Sequence, residues 1–159
     1  MTGRLLLTMM LAAAPAIAGA ADFTVTSAAG QPVSASALLA GDRRVLVYVA
    51  PGPDPAARLV EALRTWSRED PRWRHSVVVV VVAPLDQARR WLRERWGEGE
   101  LPQWAADADA QGWRALGFDG TLGVAGVEKG VVDWKLDGVI ADPSVLEPPI
   151  RAWTGIGAP

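Results

Sequence analysis

The chain has 159 residues, enough for one domain with a substantial core, and it contains no cysteine. Disulfides, thiolate catalysis, thiol redox chemistry, cysteine-bound metals and a lipid anchor on cysteine are therefore excluded. A net charge of −2 gives the whole molecule no electrostatic claim on nucleic acid.

Met1-Thr2-Gly3-Arg4 precedes an apolar run from Leu5 to Ile17, and Ala18 to Ala21 are small residues ahead of Asp22. Residues 1–20 read as a secretory signal peptide, cleaved near Ala20–Ala21. The competing reading is an uncleaved membrane anchor, against which stand the shortness of the run and Pro15. Residues 21–159 then form a single domain with no internal repeat and no linker.

Phe23 to Thr26 alternates as a strand does, Ala28 to Pro32 is turn-prone, and Val33 to Ser36 is a short return strand, together an N-terminal β-hairpin. Ala37 to Asp42 reads as one helical turn closed by glycine. Val45 to Ala50 is a buried strand, followed by the turn Pro51-Gly52-Pro53 and a helix from Pro55 to Ser67. Asp54 is its expected N-cap, and Ala56, Leu59, Val60 and Leu63 are its apolar face. Arg68 to Arg74 reads as a charged connection.

Ser76 to Ala83 holds six consecutive valines, which implies a strand covered on both faces. Asp86 is expected to cap a second helix through Ala88, Trp91, Leu92 and Trp96, stopped by Gly97. Leu101 to Asp107 gives a short strand and Asp109 to Leu116 a brief helix. Thr121 to Val127 and Val131 to Leu136 flank Glu128-Lys129-Gly130 as an antiparallel hairpin. Asp142-Pro143 starts a terminal helix toward Trp153, with Pro148-Pro149 expected to interrupt it.

Strand, helix, strand, helix, hairpin and terminal helix is the order of the thioredoxin fold, an α/β architecture with a central mixed β-sheet flanked by helices. Phe23-x-Val25 with Gly30, Val33, Leu38-Leu39 and Gly41, leading into Val45 to Ala50, resembles the opening of exported TlpA-like thioredoxins of the redoxin group. Leu101-Pro102 through Asp107, then Trp113 to Phe118, is similar to that group's segment before its cis-proline loop. The group's strand leads into Cys-x-Pro-Cys. The matching positions here are Pro53, Asp54, Pro55 and Ala56, so the inner proline stays and both cysteines are gone.

The group's Gly-x-Pro-Thr or Gly-Thr-Pro loop is matched by Gly120-Thr121-Leu122, so the cis-proline is replaced too. The resemblance implies a degenerate member of the thioredoxin-like superfamily. Its scaffold is kept, and thiol-disulfide exchange is lost because exchange needs an attacking thiolate. Leu122 is expected in a trans bond, since a cis bond outside proline is costly.

Other chemistry at that corner is disfavoured. A helix N-terminus beside a turn suits anions, but Pro51, Pro53 and Pro55 remove donors and Asp54 adds a like charge. His75 stands alone and reads as a surface or edge residue rather than a catalyst or ligand. Asp107, Asp109 and Asp119 supply too few ligands for a calcium loop and read as a solvated turn that caps the short helix. No metal site and no cofactor is expected.

Trp66, Trp91 and Trp153 occupy apolar helix positions, whereas Trp73, Trp96, Trp104 and Trp113 lie near element ends, where an indole either joins the core or anchors a partner. Arginines outnumber carboxylates between Arg58 and Arg95. Arg89, Arg93, Arg95 and Trp96 form the candidate partner-binding patch, set against the plainer reading of a solvated helix face.

These readings lead to a non-catalytic, periplasmic or secreted, protein-binding module. It would serve as a structural subunit or assembly factor of an exported or membrane complex. Its partner is another periplasmic or membrane protein, and it meets the membrane only through that partner or an uncleaved signal segment. The alternative is a small-ligand carrier, or an enzyme of non-thiol chemistry, on the same scaffold.

Overall fold

The structure is a computed structural model that describes residues 22–52, 54–138 and 142–157. The expected signal peptide and Pro53 lie outside the described residues.

The valine run forms the middle of the molecule. β4 (Val77–Val81) is buried at every position, as a strand packed on both faces must be. It lies between β3 (Arg43–Val49) and β5 (Gln103–Ala106), both parallel to it, with Val47 opposite Val79 and Trp104 opposite Val79 on the other side. β6 (Leu122–Glu128) pairs antiparallel with β3, and β7 (Val131–Asp137) antiparallel with β6, giving the expected hairpin. The N-terminal hairpin, β1 (Thr24–Ser27) and β2 (Pro32–Ser34), joins the other flank by pairing β1 antiparallel to β5. The seven-stranded mixed sheet runs β2-β1-β5-β4-β3-β6-β7.

Strand alternation divides the core in two. Val45, Val47 and Val49 of β3 with Val77, Val79 and Val81 of β4 face the larger layer, built from α2 (Asp54–Glu69), α3 (Arg72–Ser76), α4 (Leu85–Trp96) and α6 (Glu147–Thr154). Leu46, Tyr48, Val78 and Val80 face the smaller layer, where α1 (Ala35–Leu38) and α5 (Gln111–Ala115) lie with Phe23 and Phe118. Each fully buried Val or Leu contributes on the order of 1.5–3 kcal/mol, so the two layers together carry the stability of a chain without crosslinks.

Three local expectations are corrected. The charged connection folds into α3, because Trp73 is fully buried and stacks against Trp66 with ring centroids 5.0 Å apart. Asp70 holds that turn by accepting from the Arg72 backbone N–H and guanidinium, and the guanidinium keeps its carboxyl below the usual range. Asp86 does not cap α4. The helix starts at Leu85 behind Pro84, and Asp86 pairs instead with Arg89 at 3.0 Å. Pro148 and Pro149 do not break the terminal helix either, because both fall in the first turn of α6, whose N–H groups have no helical acceptor. A 3-10 turn, Pro143–Leu146, precedes it, with Asp142 as its cap accepting from Ser144 N–H at 2.9 Å.

Close approach fixes Gly126, where a Cβ would collide with the Trp134 indole. Gly126→Ala forces β7 or that indole aside, and chemical denaturation is expected to show a loss of roughly 1–3 kcal/mol with the mean residue ellipticity retained.

Candidate functional site

The parallel strands end together at one edge of the sheet, and the corner between β3 and α2 is the position a catalytic turn would take. Ala50 N–H donates to the Thr121 carbonyl at 3.0 Å and Val82 N–H to the Val49 carbonyl at 2.8 Å, which locks the strand ends side by side. Pro51 is half-buried and Gly52 exposed. Asp54 is the first residue of α2 rather than the residue before it, and its carboxylate, 84% exposed, reaches Arg58 at 3.7 Å. Pro55 follows in the first turn, and Ala56 is buried in the larger core layer.

Leu122 is fully buried, opposite Val49 in the β3–β6 register. No described residue carries a cis peptide bond, so Leu122 follows Thr121 in trans, as expected. The corner therefore brings Asp54, Pro55, Ala56 and Leu122 together around two strand ends. No thiol stands there, and the Asp54 carboxylate is turned to solvent beside Arg58. The Thr121 hydroxyl is buried and has no hydrogen-bond partner.

The structure separates the proposed partner-binding residues. Arg89 and Arg93 are exposed one helical turn apart on α4, donating to the Ala28 carbonyl at 3.2 Å and the Gly99 carbonyl at 3.2 Å. Arg95 turns the other way and stacks over Trp91 at 4.3 Å. Trp96 is only 4% exposed and its indole N–H donates to the Glu100 carbonyl at 3.1 Å. It continues the Ala88–Leu92 stripe of the helix and belongs to the core. Trp73 and Trp104 are buried as well, while Trp113 and Trp153 are half-buried.

His75 is exposed at the end of α3, beside an open cleft of about 640 Å3 that it lines with Arg44, Glu128 and Lys129 at the far end of the sheet. Among the described residues, no three His, Cys, Asp or Glu side chains come together as metal ligands.

Asp107 caps the short helix as expected, but from a buried position. It is not in a solvated turn but 3% exposed, at the end of β5. Its carboxylate accepts from the backbone N–H groups of Gln111 (2.9 Å), Gly112 (2.9 Å) and Trp113 (3.4 Å), and from the Tyr48 hydroxyl. Asp109 and Asp119 stay exposed and outside this cluster. Four donors saturate the carboxylate, so it anchors the start of α5. Tyr48 is boxed by Phe23, Trp113 and Phe118 at centroid distances of 6.3, 5.8 and 5.9 Å. The sequence signal was available in part: alternation along β3 places Tyr48 on the Leu46 face, away from α2.

Burial first, and then the bond and the negative charge of Asp107, push the Tyr48 phenol far above its ordinary value of 10.0. The unfolded chain thus releases this proton before the folded one. The associated stability is complete below about pH 10 and is lost as pH rises beyond it. Tyr48→Phe is expected to cost about 1 kcal/mol at neutral pH and to flatten this alkaline loss, as read from urea unfolding midpoints at about pH 9 and about pH 11.

No family model matches the sequence, and no curated protein does. Solved structures do match. A protein from Chlorobium tepidum assigned as thiol:disulfide interchange protein DsbE superposes with a TM-score of 0.66 at 23% identity, over 84% of this chain and 94% of that one. A secreted Mycobacterium tuberculosis disulfide oxidoreductase homologous to E. coli DsbE gives 0.64 at 16% identity, over 84% and 97%. The yeast mitochondrial 1-Cys peroxiredoxin gives 0.63 at 13% identity, over 82% and 70%. The chain has a thioredoxin-like fold, of the kind those redox proteins share, and it has no cysteine.

Proposed function

We propose that this protein is a non-catalytic thioredoxin-like module, exported to the periplasm, that acts by binding another protein as a structural subunit or assembly factor of an envelope complex. The observation that carries the reading is the corner itself. The turn where redox proteins of this fold place their reactive sulfurs holds Asp54 and Pro55, with Ala56 packed in the core layer that also takes Leu122. Beside them stand the Asp54 carboxylate, exposed and paired with Arg58, and the buried Thr121 hydroxyl. Export is supported by the basic start, apolar run and small residues of the first 21 positions, and by the secreted oxidoreductase among the structural neighbours. A scaffold that keeps its packing while its reactive groups are gone retains surface recognition as its available role.

Two measurements test this. Purified protein is expected to give no insulin-disulfide reduction above buffer, and turnover would overturn the reading. Affinity capture from intact cell envelope is expected to bring down one partner protein in stoichiometric amount. A purified monomer that instead carries a bound small molecule would support the ligand-carrier reading.

A further inference from the structure

The cleft beside His75 opens at the end of the sheet away from the cysteine-free corner and encloses about 640 Å3. Separate pieces of chain meet around it: the turn into β3, the end of α3, the β6–β7 turn and the end of α6. Two of these walls are tied together by Lys129 N–H, which donates to the Asp42 carbonyl at 3.0 Å. The lining carries no large apolar side chain.

Arg43 and Arg44 both enter the cleft, and they are held differently. Arg43 gives Nε to Glu128 at 3.2 Å and Nη1 to the Trp153 carbonyl at 3.4 Å, so its charge is met. Arg44 is half-buried, and its Nη1 donates to a neutral acceptor, the Gln103 side-chain oxygen, at 2.8 Å. Gln103 is anchored in turn through Nε2 to the Leu38 carbonyl at 3.4 Å. This fixes the guanidinium and leaves its Nε–Nη2 edge without a bond among the described residues, with neither nitrogen sealed from solvent. The edge lies over Gly41, where a Cβ would stand 3.2 Å from Nε, so the bare backbone keeps that approach open.

The plainer account is a solvated arginine at a strand end. It does not explain why a guanidinium drawn partly out of water is steadied by an amide and meets no carboxylate, since such a charge calls for a counter-charge. The Nε–Nη2 edge presents two parallel N–H groups, the fork that a carboxylate or a phosphate fits.

We propose that this cleft binds a small oxyanion ligand, through a carboxylate or phosphate group seated on the Nε–Nη2 edge of Arg44. Lys129 supplies a second positive charge from the facing turn, and its ammonium has no ion-pair or hydrogen-bond partner among the described residues. Arg43 and Glu128 cancel each other, so Arg44 and Lys129 stand against Asp42 alone and the cleft stays net positive. Protein interfaces are built around apolar anchors, and the cleft has none, which suits a small polar ligand rather than a protein segment. The site holds whether or not the module reading does, and envelope capture tests that reading by itself.

His75 is the one histidine of the chain and lines the cleft, so its imidazole is an unambiguous NMR reporter. At fixed pH and ionic strength, titration with sulfate, a tetrahedral stand-in for phosphate, or with succinate is expected to shift this signal in a saturable way. The probe that does so identifies the head group. Arg44→Lys keeps the charge but loses the fork, and is expected to weaken binding about tenfold. Lys129→Glu, at an exposed turn, is expected to weaken it about tenfold as well, and decides alone should Arg44→Lys not fold. Arg90→Glu, exposed on α4 and outside the lining, is expected to leave binding unchanged. No saturable shift with either probe, an equal shift from chloride, or unchanged affinity in the folded Arg44 and Lys129 variants overturns the proposal.

Discussion

Burial of β4 on both faces is the constraint from which the rest of the architecture follows. Five successive valines leave no side to solvent, so helices have to cover the sheet above and below. Alternate valines then hand the two layers different tasks. Val77, Val79 and Val81 meet the large helices, and Val78 and Val80 meet the aromatic cluster around Tyr48. Parallel neighbours on either side need long crossovers, which α2 and α4 provide. Once those crossovers exist, the ends of β3 and β4 and the start of β6 arrive at one edge, and a corner is formed whatever residues occupy it.

That corner shows how a fold and its chemistry part company. The geometry that brings Ala50, Thr121 and Val82 within hydrogen-bond reach of their neighbours is backbone geometry and survives any side-chain change. Reactivity is a matter of side chains, and here Ala56 and Leu122 extend the core into that space. The Asp107 carboxylate, close to the end of the neighbouring strand, is fully spent on α5 and Tyr48.

Features governed by neighbours in sequence were legible before any coordinates. The valine strand, the Lys129-Gly130 hairpin and the Asp142 cap each depend on a few adjacent residues, and each formed where expected. Features governed by contacts across the fold were not. α3 exists because Trp73 packs on Trp66 of the preceding helix, and nothing in Pro71-Arg72-Trp73-Arg74 announces that contact. Trp96 looked like an interface residue by composition, but the period of α4 carries it into the core beside Leu92. Asp107 looked solvated, since its partner Tyr48 lies 59 positions away. Prolines 148 and 149 were misread for a different reason. Their effect reverses between the interior of a helix and its first turn, so the outcome turned on where the helix begins.

The lack of cysteine has one more consequence, for how the native state is reached. Tryptophans that bury 93% or more of their surface at positions 66, 73, 91, 96 and 104 do the tightening that crosslinks do in many exported domains. Folding therefore involves no oxidation, no shuffling of half-made bridges and no dependence on an isomerase for sulfur pairing. The chain matures identically in reducing and oxidising surroundings.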